Sequence, residues 1–346
     1  MKKHNIVGID VFCGAGGLTF GLSSSGINII TGVDIDGTVE KTYLANNPGV
    51  NFLKEDIKKI RSSDLIKDIN REKNYFLLAG CAPCQPFSVQ NRERKNDSRK
   101  SLMAYFTKLV IKLLPDYIVV ENVSGFTNSN NSYHKFLVRS LTKNGYWYDE
   151  GILNAADFGV PQNRYRYVLI ASRNGPINLP KPKYGHNLKP YKTVLEVIRK
   201  YPPLRAGTYS ELLPNHKARM LSSINLRRIR LVPKDGGSRS ALPKNLELTC
   251  HKNHSGHSDA YGRMAWQKPA PTLTCRCTSF TNGRFGHPTQ NRAISLREAA
   301  ALQSFPDSYI FYGNDTDVAR HIGNAVPVAL AKCLGTTILE HSKKQT

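Results

Sequence analysis

The chain has 346 residues, 40% of them hydrophobic, which suits one large domain or a large and a small one. No stretch approaches ~18 consecutive apolar residues, so no transmembrane helix is expected. Lys and Arg total 49 against 26 Asp and Glu, and the net charge of +23 suits a polyanionic partner. Residues 176–285 hold 20 basic and 5 acidic side chains, so +15 of the +23 lies in 110 residues; the other 236 carry 29 and 21, only +8. A solvated surface is the plain reading of such an asymmetry, but nucleic acid accounts better for its concentration. The seven cysteines are odd in number and scattered, as expected of a reducing, cytoplasmic setting rather than a disulfide framework. The opening MKKHNIVGIDVF contains Asp10 and lacks a small-residue cleavage site, so it reads as a core strand and not a signal peptide.

Strand and helix patterns alternate along the first 175 residues. Residues 6–12 read as a buried strand, followed by a glycine-rich turn and an apolar helix; 29–33 and 75–79 read as further strands. Residues 101–114 are helical by spacing, with Leu102, Phe106, Leu109 and Leu113 on one face and Pro115 as terminator. Strands follow at 117–120 and 167–171. This order predicts an α/β chain with a doubly wound, mostly parallel sheet. From Gly175 prolines cluster (176, 180, 182, 190, 202, 203) and helical periodicity fades, so 176–285 reads as a separate, smaller, irregular domain. Helical spacing returns at 296–303 and 326–339, with Leu330, Leu334 and Ile338 in register. Residues 286–346 are expected to pack back on 1–175, which makes 176–285 an insertion.

In a doubly wound sheet, ligands sit beyond the carboxyl ends of the strands. The first strand runs into Cys13-Gly14-Ala15-Gly16-Gly17-Leu18, where glycines allow a tight turn and close approach to a ligand. The spacing is GxGG, a weak fit to the GxGxxG of a dinucleotide site. The second strand ends at Asp34, placed to take ribose hydroxyls, with Ile35 as an apolar surface for an adenine ring. Glu55-Asp56-Ile57 follows and could reach the adenine edge. A lone glycine turn is as often structural; the order of these segments points to a nucleoside cofactor.

The next strand leads into Gly80-Cys81-Ala82-Pro83-Cys84-Gln85-Pro86-Phe87-Ser88. Prolines flanking Cys84 stiffen the loop and remove competing N–H donors. Its thiol reads as a fixed nucleophile, the thiolate favoured by nearby positive charge. Two other readings stand beside it. A redox CxxC would open a helix directly, whereas Pro86 and the polar stretch to Ser98 suggest an extended loop. A zinc site would need Cys275 and Cys277 with His251, His254 and His257, an irregular spacing, so no metal is expected. Glu121-Asn122-Val123 puts a carboxylate straight after four apolar residues, which is costly unless it works or pairs. Gln162-Asn163-Arg164-Tyr165-Arg166 places two arginines on one face of an extended segment, suited to an anion or carbonyl; an exposed strand edge is the plain alternative.

Together these segments resemble the cytosine-C5 DNA methyltransferase family of the restriction–modification type. The likeness covers most of the chain in the family's order: DVFCGAGGLT (10–19), PCQPFS (83–88), ENV (121–123), QNRYR (162–166), RAISLREAAALQSFPD (292–307) and GNAVP (323–327). It implies the S-adenosylmethionine-dependent methyltransferase fold, with 1–175 plus 286–346 as catalytic domain and 176–285 as target-recognition domain. Phe12, Gly14, Gly16, Gly17 and Leu18 would line the S-adenosylmethionine pocket with Asp34, Ile35, Asp56, Ile57, Asn324 and Val326. Cys84 would attack C6 of the cytosine, Glu121 would hold N3 and the exocyclic amine, and Arg164 the O2, with Arg166 in the same catalytic set. Gln85 and Ser88 would touch DNA. Arg227, Arg228, Arg230, Arg263, Arg276 and Arg284 are candidates for guanine or phosphate contacts. One departure is His321, which replaces the Gln that usually opens the last motif.

The chemistry needs this set. C5 of cytosine takes a methyl group only after a thiolate adds across C6, with N3 protonated or strongly hydrogen-bonded as charge builds. A stacked base cannot be reached, so it must be flipped out. The resemblance thus implies double-stranded DNA as partner, no membrane, a monomer in the cytoplasm, and a cognate restriction endonuclease acting on the same site. The family's tRNA-modifying branch shares the catalytic loops but has a short recognition region. A non-catalytic DNA-binding relative should have lost the cysteine, glutamate or arginines.

Overall fold

The computed structural model describes residues 5–83, 101–128, 131–248 and 259–345. Seven strands form one sheet in the order β3-β2-β1-β4-β5-β7-β6. They are β1 (Asn5–Val11), β2 (Asn28–Asp34), β3 (Asn51–Lys54), β4 (Asn74–Gly80), β5 (Tyr117–Val123), β6 (Trp147–Asn154) and β7 (Tyr165–Ser172). Pairing is parallel from β3 through β5. The central strands are unbroken apolar runs because both faces are covered: Phe76–Ala79 of β4 and Tyr117–Val120 of β5 have no measurable exposure. The expectation of a mostly parallel sheet needs one correction, because β7 runs antiparallel to both β5 and β6. Ten residues join β6 to β7, too few for the crossover of a dozen or more that a parallel pair requires.

The chain folds as two compact units. The first comprises 1–158, 165–182 and 326–346. It holds the sheet with helices α1 (Gly17–Ser23), α2 (Glu40–Asn46), α3 (Ser62–Ile66), α4 (Leu102–Leu113) and α5 (Ser132–Lys143). α4 buries Met103, Phe106, Leu109, Val110 and Leu113 and stops where Leu114 turns left-handed before Pro115. The second unit comprises 159–164 and 183–325, with α6 (Val194–Ile198), α7 (Ser223–Leu231), α8 (Leu296–Leu302) and α9 (Asp315–Asn324). The last helix, α10 (Val328–Lys344), returns to the first unit. It lies so close to α1 that a Cβ on Gly21 would come within 2.4 Å of Ala331 Cβ. The window Asp315–Lys344 is apolar enough to cross a membrane by length and composition, yet α9 and α10 are separate helices and most of the window is buried.

The division therefore falls at 183 and 325 rather than at 176 and 285. What ties 286–325 to the second unit is a set of buried polar contacts that hydrophobic spacing does not reveal. Arg297 donates to Pro214 O, Asn215 Oδ1 and Tyr309 O. Ser295 caps α8 and is bonded to His216 Nδ1. Arg292 grips both oxygens of Glu298 at 2.7 Å, with neither residue more than 1% exposed. Burial alone would raise the Glu298 carboxyl, but the arginine fork outweighs it and holds the group below its ordinary range. Arg292→Ala strands that carboxylate in the interior and is expected to cost about 3–5 kcal/mol, read as a lower urea midpoint at unchanged m-value.

Candidate active site

At the end of β1 the chain reverses through Phe12, Gly14 and Gly16, with φ of 65°, 52° and 91°. Left-handed backbone is natural for the glycines and strained for Phe12, as is common beside a ligand site. The turn is fixed to β2. Phe12 N and Cys13 N donate to Val33 O, and Gly14 N donates to Asp34 Oδ2 at 2.9 Å. Asp34 Oδ1 takes Asp36 N at 2.9 Å. Burial nevertheless raises the Asp34 carboxyl above its ordinary range. The space over Gly14 is open, since a Cβ there would meet nothing within 4 Å, and Ile35 beside Asp34 is 65% exposed.

Beneath the turn, Asp10 is fully buried. Its Oδ2 accepts from Thr19 Oγ1 at 2.7 Å, and Thr19 is bonded in turn to Tyr43 OH at 2.9 Å. Its Oδ1 has no hydrogen-bond partner among the described residues. Burial pushes this carboxyl up to about 7. An exposed apolar side chain next to a carboxylate, an open glycine turn and a buried oxygen lacking a donor fit a nucleoside with a cationic tail, which S-adenosylmethionine is. Gly17 opens α1, and Asp56 is half-buried, taking Lys58 N at 3.0 Å. Leu18 and Ile57 are core side chains, so only their backbone could face a ligand, a narrower part than the sequence suggested. Val326 is buried and Asn324, at the end of α9, is exposed.

Cys84, Gln85 and Ser88 lie outside the described residues. The residues just before them, Cys81 and Ala82, are held on three sides. Cys81 N donates to Val11 O, Asn122 Nδ2 donates to Ala82 O at 3.2 Å, and Cys81 Sγ donates to Glu121 Oε2 at 2.8 Å. Glu121 is 1% exposed. Arg166 Nε stands 3.2 Å from its Oε1, close enough for an ion pair, yet Oε1 makes no aligned hydrogen bond among the described residues. The register explains the meeting: Val123 faces Arg166 across the β5–β7 pair, and Glu121, two residues away, shares that face.

Arg164 is the principal correction. It belongs to the second unit and is 2% exposed, its guanidinium donating to Leu273 O, Gly323 O and Ala325 O. A side chain engaged by three carbonyls is a structural clamp, and Arg166 is the arginine that reaches Glu121. Strand alternation carried the signal, because Arg166 lies inside β7 and Arg164 before it.

Two other thiols, Cys13 and Cys277, are poor competitors as nucleophiles. Burial, reinforced by Asp10 and Asp34, pushes Cys13 well up. Burial takes Cys277 to about 12, and its Sγ donates to Ala319 O. His251, His254 and His257, the imagined zinc partners, lie outside the described residues.

A family model described as C-5 cytosine-specific DNA methylase matches residues 6–340. The chain belongs to this family. It is 39% identical over 339 residues to the type II methylase M.HgiDII of Herpetosiphon aurantiacus, covering 95% of this chain and 94% of that one. It is 34% identical over 337 residues to the type II methyltransferase M1.HphI of Haemophilus parahaemolyticus, covering 96% and 86%. Among solved structures, a prophage-encoded E. coli protein superposes with a TM-score of 0.74 at 22% identity, covering 97% of this chain and 99% of that one, a likeness of fold. The chain is a DNA cytosine-5-methyltransferase.

Of the six arginines expected to read this methyltransferase's DNA, two are interior and a third, Arg284, is half-buried. Arg263, 1% exposed, donates to Ile229 O, Val232 O, His287 O, Gln290 O and Asn291 Oδ1. Arg228 is buried against Tyr261, bonding Leu246 O and Asn225. Arg284 joins Asp259 and the carbonyls of Gly236 and Gly237. Each of the three is engaged in holding loops together. Arg227, Arg230 and Arg276 are exposed.

Two predictions follow from this geometry. Arg166→Ala should lower single-turnover methylation about 100-fold with folding intact, whereas Arg164→Ala should chiefly lower the melting temperature by leaving carbonyls without donors. A raised buried Asp stabilises the fold only while it can stay protonated, so stability is lost as pH rises from the unfolded value towards about 7. Asp10→Asn should therefore gain stability over wild type progressively between those values and by a constant margin above, as denaturation across pH would show.

Proposed function

We propose that this methyltransferase moves the methyl group of S-adenosylmethionine to C5 of a flipped-out cytosine in a specific duplex sequence, through a covalent bond between Cys84 Sγ and C6. The observation that carries this is Glu121: a buried carboxylate with one oxygen left open, at the root of the Cys84 loop. Cys84, as thiolate, adds to C6. Glu121 accepts from the exocyclic amine and, entering the step as the acid, passes its proton to N3, so that the negative charge arriving in the ring is neutralised. Arg166, rather than Arg164, lies beside Glu121 to take O2 and to fix the carboxylate. S-adenosylmethionine supplies a methyl already activated on a sulfonium. When C5 has taken the methyl, removal of its proton restores the double bond and expels the thiolate. No metal is required by this sequence of steps.

Asp34 and Ile35 would receive the ribose and adenine, with Phe12, Gly14, Gly16, Gly17, Asp56 and Val326 around them. The second unit would choose the DNA sequence, with the exposed Arg227, Arg230 and Arg276 among its contacts. The enzyme would act as a monomer in the cytoplasm and protect DNA from a cognate endonuclease, as the type II relatives suggest. Those relatives favour DNA over a tRNA substrate.

Duplex DNA with 5-fluorocytosine at the target tests the covalent step, because fluorine leaves no C5 proton to remove. With S-adenosylmethionine present, the adduct should survive denaturing electrophoresis and map to Cys84. Cys84→Ser should form none and lose methylation almost wholly; trapping through another residue would defeat the mechanism. Affinity for DNA should fall with salt at a log–log slope on the order of −5, and a flat dependence would count against a phosphate-dominated interface.

A further inference from the structure

The proposed mechanism gives Cys81 no part, yet the structure ties it to the central carboxylate. Cys81 follows β4 directly, and its Sγ donates to Glu121 Oε2 at 2.8 Å. Glu121 comes from the end of β5 and is 1% exposed. Among the described residues this is the one aligned hydrogen bond the carboxylate receives, since Arg166 Nε approaches Oε1 without forming one. The thiol thus fixes the torsion of the carboxyl plane. One oxygen is occupied and the other is left open beside Arg166.

We infer that Cys81 is a positioning residue for Glu121, aiming Oε1 at the edge of the flipped cytosine. The inference rests on the proposed role of Glu121. A thiol serves here without competing with Cys84. Its S–H is spent as the donor to Glu121 Oε2. Its main chain adds a further constraint, because Cys81 N is held by Val11 O of β1 and the next carbonyl, Ala82 O, by Asn122 of β5. The donor therefore stands on a fixed platform. Substrate groups would meet a carboxylate with its orientation already set, which lowers the barrier to the chemical step without adding to the binding of DNA.

The test compares Cys81→Ala and Cys81→Val, which remove the donor, with Cys81→Ser, which keeps one. Steady-state and single-turnover methylation of target duplex would be measured, with trapping rates on 5-fluorocytosine DNA. Loss of a hydrogen bond to a charged group should lower kcat and the trapping rate about tenfold or more in Ala and Val. KM for DNA and for S-adenosylmethionine should stay within about twofold, and Ser should recover most of the rate. Val fills the vacated space, so it serves if Ala folds poorly. Wild-type rates in Ala or Val, or a Ser variant as slow as Ala, would overturn the inference. Failure of the underlying reading would show instead in the wild-type enzyme, as absent methylation and absent trapping.

Discussion

Burying a carboxylate at the end of a central strand is costly unless donors reach it, and the sheet around Glu121 is arranged so that they do. The parallel partner β4 delivers Cys81 from one side. The antiparallel partner β7 delivers Arg166 from the other, which a parallel strand in that position would not do with the same register. The switch in strand direction at β5–β7 is thus more than a feature of the fold. It lets the chain leave β6, turn within ten residues and return with an arginine facing Glu121. Asn122, next in β5, faces Tyr167 in that pairing and also holds the carbonyl of Ala82. Two successive residues of one strand therefore carry the buried carboxylate and hold the segment that follows β4.

A second buried carboxylate repeats the pattern at the other end of the site. Asp10 in β1 has one oxygen bonded and one without a hydrogen bond among the described residues, and Glu121 in β5 has one bonded by Cys81 and one held only by the ion pair with Arg166. Each is a local violation of the rule that buried polar atoms are satisfied. Such violations cost stability, and the two carboxylates stand near the carboxyl ends of parallel strands separated by β4. The strained φ of Phe12 lies between the same two elements, β1 and the cofactor turn.

How far the sequence could be read depended on which force set each feature. Buried strands announce themselves as apolar runs, so β1, β2, β4, β5 and β7 were legible within a residue or three. β6, Trp147–Asn154, was not, because its half-exposed pattern has no run and no clean alternation. The motif residues were legible as a set, but their division of labour was not. Arg164 and Arg166 are two apart in sequence, and only the start of β7 at Tyr165 separates a clamp on backbone carbonyls from a partner of Glu121. The boundary of the second unit was misplaced for a related reason. Arg297 and Ser295 reach residues 214–216 through buried polar bonds, and such bonds leave no periodic trace.

The arginines show why charge arguments survive where contact arguments fail. Arg263 is interior and its ordinary value is lowered by burial to about 10, so it stays protonated at neutral pH. Its charge is balanced by carbonyl dipoles and not by a carboxylate, so it still adds to the field of the second unit. A field acts over a Debye length and does not require the guanidinium to touch DNA. Counting Lys and Arg in 176–285 therefore gave a sound reading of the kind of partner and a poor reading of which residues meet it. Attraction depends on the sum of charges; recognition depends on exposure, which only the fold decides.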